Sequence, residues 1–183
     1  MTDRLTLPEK IVLVHADLAA AGLRHAFGGA LALAWCTGRP RGTVDIDVNV
    51  FVGIDDADAV LAALEGDVLV DDAAAEVLAG DGQVRLWLGA TPVDIFLDTT
   101  PFHRQVGGRI RWEPFAGREL PFLACDDLAV FKAFFDRSRD WADLDDMVAA
   151  GSLDVDAVLG VLTRYLGGDD HRIERLRALA GPP

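Results

Sequence analysis

The stretch from Phe27 to Val52, FGGALALAWCTGRPRGTVDIDVNVFV, sets the narrowest limits on how this chain can fold. It joins paired glycines, a short apolar run, a basic Gly/Pro turn and an alternating segment with two aspartates. Alternation of apolar and polar residues over 44–50 predicts a β-strand, and the apolar run 30–36 predicts a helix that begins directly after the glycines. The stretch therefore predicts a glycine turn, a helix and an acidic strand in close succession.

The acidic strand places its two carboxylates side by side. A strand projects alternate side chains to one face, so Asp45, Asp47 and Asn49 share a face. Neighbouring carboxylates repel each other unless a cation compensates, and a hard divalent metal ion would do so. A strand with one solvated face explains the same aspartates without a metal, and the pattern alone leaves both interpretations open. A calcium loop is excluded because Val50 stands where that loop needs glycine.

The paired glycines, Gly28 and Gly29, come just before the predicted helix. Glycines at this position allow backbone N–H groups to point at an anion, and the helix dipole adds to the attraction. A later alternating strand, VDIFLD after Thr91-Pro92, carries Asp94 on one face, with Asp98 as a second candidate on that face. If this strand pairs beside the first, Asp94 supplies a third carboxylate.

Three converging carboxylates beside an anion site are typical of phosphoryl or nucleotidyl transfer. That chemistry needs charge neutralisation, alignment and a base for the attacking hydroxyl, and two divalent ions commonly provide the first two. We expect Asp45 and Asp47 to hold metal and Asp94 to complete the metal site and to orient or deprotonate an acceptor hydroxyl.

These features resemble a known superfamily. The order G-G, apolar helix, T-V-D-I-D strand and later single Asp is similar to the nucleotidyltransferases that include DNA polymerase beta, and more closely to the AbiEii/MenT-type nucleotidyltransferase toxins. The segment GRELPFLACDDLAVFKAFFDRSRDWADLDDM resembles the part of that group in which a helix with a lysine, an Arg-Asp pair and an Asp-Leu pair follows the core. Together the two regions cover roughly residues 20 to 150.

The resemblance implies an α+β fold with a nucleotidyltransferase-like mixed β-sheet flanked by helices and a helical C-terminal portion. It implies one domain over residues 1–183, with a core at about 8–125 and the helical portion at about 126–180. The implied activity is a transfer of NMP from an NTP to an acceptor, with Mg²⁺ or Mn²⁺ as cofactor. By the same resemblance the catalytic and metal-binding residues are Asp45, Asp47 and Asp94, and the nucleotide-binding residues are Gly28, Gly29, Thr43, Lys132 and Asp140.

The sequence departs from the family pattern beside the glycines. Family members commonly carry Ser or Thr there, whose hydroxyl helps to hold phosphate or metal, whereas this chain has Ala30. Backbone donors would have to serve instead. A longer turn with Arg39 and Arg41 also precedes Thr43; these arginines either reach a triphosphate or solubilise the turn.

The C-terminal segment is predicted to be helical, first over 126–151 and then in one or two further helices. If 126–151 is one helix, four charged residues fall on one face: Lys132, Asp136, Arg139 and Asp143. A stripe of this kind is also typical of plain solvated surface, and a break near Ser138 would separate its members.

The net charge and the cysteine content limit which binding partners and which cellular compartment suit this chain. A net charge of −13 disfavours non-specific binding to nucleic acid or to anionic membranes. Cys36 and Cys125 are far apart and predict no disulfide framework or zinc site, so a reducing, cytoplasmic compartment is expected. Charged residues interrupt the apolar N-terminal segment, so no membrane segment is expected there. The four tryptophans are not clustered and are expected in the core.

The sequence does not decide which acceptor receives the NMP unit. The resemblance suggests tRNA and a possible antitoxin partner, while the acidic surface leaves a small molecule or a protein as alternatives. Two rival functions have the same fold: a non-catalytic nucleotide- or partner-binding protein, and an antibiotic-modifying nucleotidyltransferase, for which an acidic surface would attract a cationic drug.

Overall fold

The computed structural model describes residues 4–181, apart from the side chain of Asp72, so the predicted domain limits at 1 and 183 lie outside it. Within this part of the chain the strands are β1 (His25–Phe27), β2 (Ile46–Val50), β3 (Gln83–Leu88), β4 (Thr91–Leu97), β5 (Arg111–Phe115) and β6 (Arg118–Phe122). The helices are α1 (Leu7–Ala20), α2 (Gly29–Thr37), α3 (Ala57–Leu64), α4 (Asp72–Asp81), α5 (Pro101–Val106), α6 (Cys125–Phe135), α7 (Ser138–Ala149), α8 (Val155–Leu166) and α9 (His171–Ala180).

The strands form one mixed sheet in the order β3-β4-β2-β1-β6-β5. β2 and β4 pair in parallel, as do β1 and β6, and the other neighbours are antiparallel. The last strand ends at Phe122 and helices follow it to Ala180. The α+β prediction, with a mixed sheet and a helical C-terminal portion, is confirmed.

The chain divides into two compact units. The first contains the residues up to Leu31 together with Gly42–Leu123, and it holds the whole sheet. The second contains Ala32–Arg41 and the residues from Ala124 onward, and it holds α6 to α9. The single-domain prediction stays a prediction.

In the first unit, the two central parallel strands, β2 and β4, have an apolar face and a polar face. Ile46 and Val48 of β2 and Val93 and Ile95 of β4 are fully buried. The residues between them, Asp47 among them, point to the opposite face. Burial of the apolar face fixes the register, because a slip of one residue would turn every buried side chain to the other face. The position of the acidic side chains follows from that register.

The helical prediction over 126–151 left open one helix or a break near Ser138, and the structure has the break, with two helices. α6 ends at Phe135, and its C-cap residue Asp136 has a left-handed φ of 55°. The Asp136 carboxylate accepts hydrogen bonds from Trp141 Nε1 at 2.6 Å and from His171 Nε2 at 2.7 Å. These tertiary bonds hold the break in place, so Asp136 does not lie on a helical stripe with Lys132.

The expectation that the two cysteines form no disulfide is wrong. Cys36 at the end of α2 and Cys125 at the start of α6 form a disulfide across a sequence separation of 89 residues. Both residues belong to the second unit and both are buried. The helices bring together two side chains that the sequence spacing did not connect. A disulfide is more typical of an oxidising compartment than of the reducing one expected from the sequence.

The stretch 68–70 forms only isolated bridges, from Val68 to Glu65 and from Leu69 to Trp87. The Asp71 carboxylate caps α4 by accepting a hydrogen bond from Ala74 N at 2.7 Å, so the chain turns into a helix there.

The tryptophans are mostly exposed rather than buried in the core. Only Trp141 is buried among the four; Trp35, Trp87 and Trp112 expose 37%, 43% and 55% of their surface. Within the described part of the chain, no helix has both the length and the apolar character needed to cross a membrane.

Candidate functional site

A row of residues crosses the sheet at the positions where the sequence predicted the acids. Asp47 on β2 pairs with Asp94 on β4, and Asp94 pairs with Arg85 on β3. On the other side, Gly28 N donates a hydrogen bond to Asp47 O at 2.9 Å. Residues opposite each other on neighbouring strands project to the same face. We call this set, Arg85, Asp94, Asp47 and Gly28, the acid row.

Asp45 immediately precedes Ile46, the first residue of β2. Because Asp45 lies two residues before Asp47 in extended backbone, it projects to the face of the acid row. The Thr43 hydroxyl donates to the Asp45 carboxylate, and it also accepts from Asp45 N at 3.4 Å. Thr43, expected to bind nucleotide, therefore holds Asp45 in this structure. The strand prediction brought the pair Asp45 and Asp47 together, and the structure adds the residue that orients the first of them.

The glycines allow the Asp47 carboxylate to lie against the first turn of α2. Gly29 begins this helix with a positive φ of 51°, and a Cβ atom at Gly29 would overlap the Asp47 carboxylate. A Cβ at Gly28 would lie 3.0 Å from Asn49 Nδ2 and 3.3 Å from Leu123 Cδ1. Glycine is needed at Gly29 both for the backbone conformation and for the space. The positive end of the helix dipole favours negative charge at this place.

Arg85 provides the positive charge within the acid row. Its Nε donates to Asp94 Oδ1 and its Nη2 donates to Asp94 Oδ2, each at 2.7 Å. The hydrogen bonds and charge of Asp94 raise the pKa of the Arg85 guanidinium, and the negative charges of Asp45 and Asp47 raise it further. Asp94 thus pairs with Arg85 and lies opposite Asp47, and the charges of Asp45 and Asp47 also act on this guanidinium.

Sequence reasoning missed Arg85. Its only signal was its place in the alternating segment 83–88, where it shares a face with Gln83 and Trp87. The register of the β3–β4 hairpin, which sets Arg85 opposite Asp94, was needed to recognise the pair.

The side chains on this face of the sheet have the oxygen ligands that a divalent metal ion prefers. Asp45 and Asp47 offer hard carboxylate oxygens, which suit Mg²⁺ and Mn²⁺. The described residues contain no group of three or more His, Cys, Asp or Glu side chains arranged to hold an ion. Asp94, predicted as the third ligand, has both oxygens bonded to Arg85. The fit therefore rests on Asp45 and Asp47.

The remaining predicted nucleotide-binding residues, Lys132 and Asp140, lie in the second unit and are buried there. Lys132 Nζ lies 2.5 Å from Asp143 Oδ2 and 3.5 Å from Asp140 Oδ1. Arg41 also contacts Asp143, at 2.9 Å, and Arg137 contacts Asp140 at 2.6 Å. Lys132 and Asp143 thus meet as residues of two helices, α6 and α7, rather than on one face of a single helix. Three cations and two carboxylates therefore meet in this network.

Ala30, which stands where family members commonly have Ser or Thr, is the second residue of α2 and is buried, with 6% of its surface exposed. Because alanine has no hydroxyl, this turn offers none to a ligand. Any anion at the start of α2 would rely on backbone N–H groups.

The fold of this chain is similar to that of solved nucleotidyltransferase structures. The solution structure of the antibiotic-resistance factor ANT(2'')-Ia is 18% identical, covers 92% of this chain and 89% of that chain, and has a TM-score of 0.52. The crystal structure of ANT(2'')-Ia in complex with adenylyl-2''-tobramycin is 17% identical, covers 85% and 95%, and has a TM-score of 0.57. A nucleotidyltransferase-like protein from Paracoccidioides brasiliensis is 11% identical over 92% of each chain, with a TM-score of 0.49.

The likeness at these identities establishes the fold and no finer property. No protein-family model matches the sequence, and the comparison with curated proteins finds no match. The solved structures do not distinguish AbiEii/MenT-type toxins within this fold, so that part of the resemblance stays a prediction.

Proposed function

We propose that this chain is a divalent-metal-dependent nucleotidyltransferase that moves an NMP unit from an NTP to an acceptor hydroxyl. The observation that carries the proposal is the Asp47 carboxylate against the first turn of α2, with Asp94 beside it in register and Asp45 on the same face. This places acids next to a helix N-terminus that suits phosphate, the combination that nucleotidyl transfer needs.

Each residue has a role in the proposed reaction. Asp45 and Asp47 would hold Mg²⁺ or Mn²⁺, which when bound neutralises triphosphate charge and polarises the α-phosphate. Gly28 shapes this turn while its own N–H stays bonded to Asp47 O, the backbone N–H groups from Gly29 onward in the first turn of α2 would donate to phosphate oxygens, and Thr43 keeps Asp45 oriented. Asp94 would accept the proton of the acceptor hydroxyl. The hydroxyl oxygen then bonds to the α-phosphorus, and the bond from that phosphorus to the bridging oxygen breaks to release pyrophosphate.

A role for Lys132 and Asp140 in nucleotide binding rests on the family resemblance alone. Such a role requires Lys132 to exchange its Asp143 partner for phosphate oxygen.

A cationic small molecule is the acceptor class that the charge favours. The net charge of −13 attracts amine-bearing acceptors and repels tRNA, the acceptor that the toxin resemblance suggests. The neighbour ANT(2'')-Ia was solved with adenylyl-2''-tobramycin, an adenylylated form of such a molecule. Antibiotic modification is therefore the second candidate function, and a tRNA-modifying toxin with an antitoxin partner is the third. A cytoplasmic location stays a prediction, against which the disulfide counts.

The test is transfer of label from the α-phosphate of each NTP in the presence of Mg²⁺. Acceptors are total tRNA, an aminoglycoside such as tobramycin, and the protein itself. The matched variants are Asp45→Ala/Asp47→Ala and the control Asp55→Ala/Asp56→Ala, which removes two exposed carboxylates from another part of the first unit. We expect transfer that the first variant abolishes and the control keeps. NTP binding without transfer to any acceptor would instead support a non-catalytic binding protein.

A further inference from the structure

Asp94 has a cation bound to it already, in the form of a side chain of the same sheet. Arg85 contacts both carboxylate oxygens with its Nε and Nη2, at 2.7 Å each. A two-point pair of this geometry is among the stronger side-chain hydrogen-bond arrangements and fixes the plane of the carboxylate. The oxygens that a third metal ligand would offer are thus engaged by Arg85.

The Arg85 side chain is able to leave this position. It stands on β3, an edge strand, and 54% of its side chain is exposed, whereas Asp94 is 16% exposed. An exposed arginine has many alternative rotamers in water, while Asp94 is fixed between two strands. Exchange of the Asp94 partner therefore requires movement of Arg85 alone.

The charge of Arg85 opposes a second cation at the same face. The negative charges of Asp45 and Asp47 act on the guanidinium as well as that of Asp94. A divalent ion held by Asp45 and Asp47 would lie close to this positive group, and two cations at such a separation repel each other. The Arg85 guanidinium and the metal ion would therefore be attracted by the same three carboxylates.

We propose that Arg85 competes with the divalent metal ion for Asp94, so that metal binding at Asp45 and Asp47 displaces Arg85 and frees the Asp94 carboxylate. This inference rests on the proposed function and makes Arg85 a positioning residue of that reaction. In the resting protein Arg85 holds Asp94 paired and oriented. Once Arg85 is displaced, both oxygens of Asp94 become available to the ion and to the acceptor hydroxyl.

The first test is Mn²⁺ affinity, measured by calorimetry on the full chain without nucleotide. Removal of one positive charge about 6 Å from a divalent ion in a water-like dielectric tightens binding about tenfold, so we expect that gain for Arg85→Gln. The control Arg104→Gln removes an exposed arginine that pairs with Asp98, and it should leave the affinity unchanged. Arg85→Lys keeps the charge but loses the two-point geometry, and it should fall between the wild type and Arg85→Gln.

The second test asks whether the gain depends on Asp94. In an Asp94→Asn background nothing pairs the exposed Arg85 side chain beside the ion, so its charge is screened by water and Arg85→Gln should gain less than about threefold. The third test follows the Arg85 Nε–H resonance, assigned by its loss in Arg85→Gln. Addition of Mg²⁺ should move this signal towards that of a solvated arginine.

The outcomes separate this inference from the proposed function. Mn²⁺ bound by the wild type and lost in Asp45→Asn/Asp47→Asn, with no gain in Arg85→Gln, would overturn the competition and leave the metal site standing. An equal gain with and without Asp94, or an Arg85 resonance that Mg²⁺ does not move, would overturn it as well. Absence of Mn²⁺ binding in every variant would overturn both the metal site and the role of Arg85.

Discussion

Replacement of Gly29 by alanine should disrupt the site through a single methyl group. Gly29 has a φ of 51°, and the added Cβ would overlap the Asp47 carboxylate. A left-handed conformation costs a non-glycine residue about 1–2 kcal/mol, and an overpacked buried contact costs about 1–3 kcal/mol more. We therefore expect Gly29→Ala to lower the free energy of unfolding by about 2–5 kcal/mol and to move Asp47 away from the start of α2.

A matched control separates the two contributions. Gly22, which follows α1, has a φ of 71°, and a Cβ there would meet nothing within 4 Å. Gly22→Ala should therefore cost only the conformational part, about 1–2 kcal/mol, and should leave Mn²⁺ affinity unchanged. Gly29→Ala should weaken Mn²⁺ binding in addition, because Asp47 is one of its ligands in the proposed site.

The assay is urea unfolding of both variants followed by Mn²⁺ calorimetry under conditions where both are folded. Equal losses of stability in the two variants, together with unchanged Mn²⁺ affinity in Gly29→Ala, would refute the close packing of Asp47 on Gly29.

Three further predictions concern stability. Reduction of the Cys36–Cys125 disulfide, which spans 89 residues, should lower the free energy of unfolding by about 4–5 kcal/mol. Burial lowers the pKa of His25 and of His103 from 6.5 to about 4, so the unfolded chain binds protons that the folded chain does not. Stability should therefore be retained above pH 6.5 and fall as the pH drops towards 4, by about 3 kcal/mol for each histidine. Lys132→Met should cost about 1–3 kcal/mol, because Asp143 and Asp140 lose their buried partner and keep only the more exposed Arg41 and Arg137.

Controls for these predictions use the same unfolding assay. A reductant should shift the wild type and have no effect on Cys36→Ser/Cys125→Ser; an unchanged wild type would contradict the disulfide. A stability profile that is flat between pH 6.5 and 4 would contradict the buried neutral histidines. Arg177→Met removes an exposed cation of α9 and should cost less than about 0.5 kcal/mol. An equal cost for Lys132→Met would contradict the buried network.

Local patterns predicted much of this fold. The glycines followed by an apolar run predicted α2, and alternation predicted β2 and the strand that carries Asp94, because periodicity depends on neighbouring residues only. The three acids could be placed on common faces for the same reason.

Features that depend on tertiary contacts were not predictable in this way. A break near Ser138 was one of the alternatives from the sequence, but the bonds from Asp136 to Trp141 and to His171, the second across 35 residues, decide for it. The disulfide joins residues 89 apart, and the pairing of Arg85 with Asp94 depends on hairpin register. Sequence spacing carries none of this information, so the cation of the acid row was missed while its acids were found.

The decisive measurement is a crystal structure of the protein with Mn²⁺ and a non-hydrolysable NTP, with the anomalous signal used to locate the ion. Our account predicts an ion bound by carboxylate oxygens of Asp45 and Asp47, with phosphate oxygens on backbone N–H groups of the first turn of α2, which begins at Gly29. An ion or triphosphate bound at another surface, with Asp45 and Asp47 making no contact to either, would contradict it.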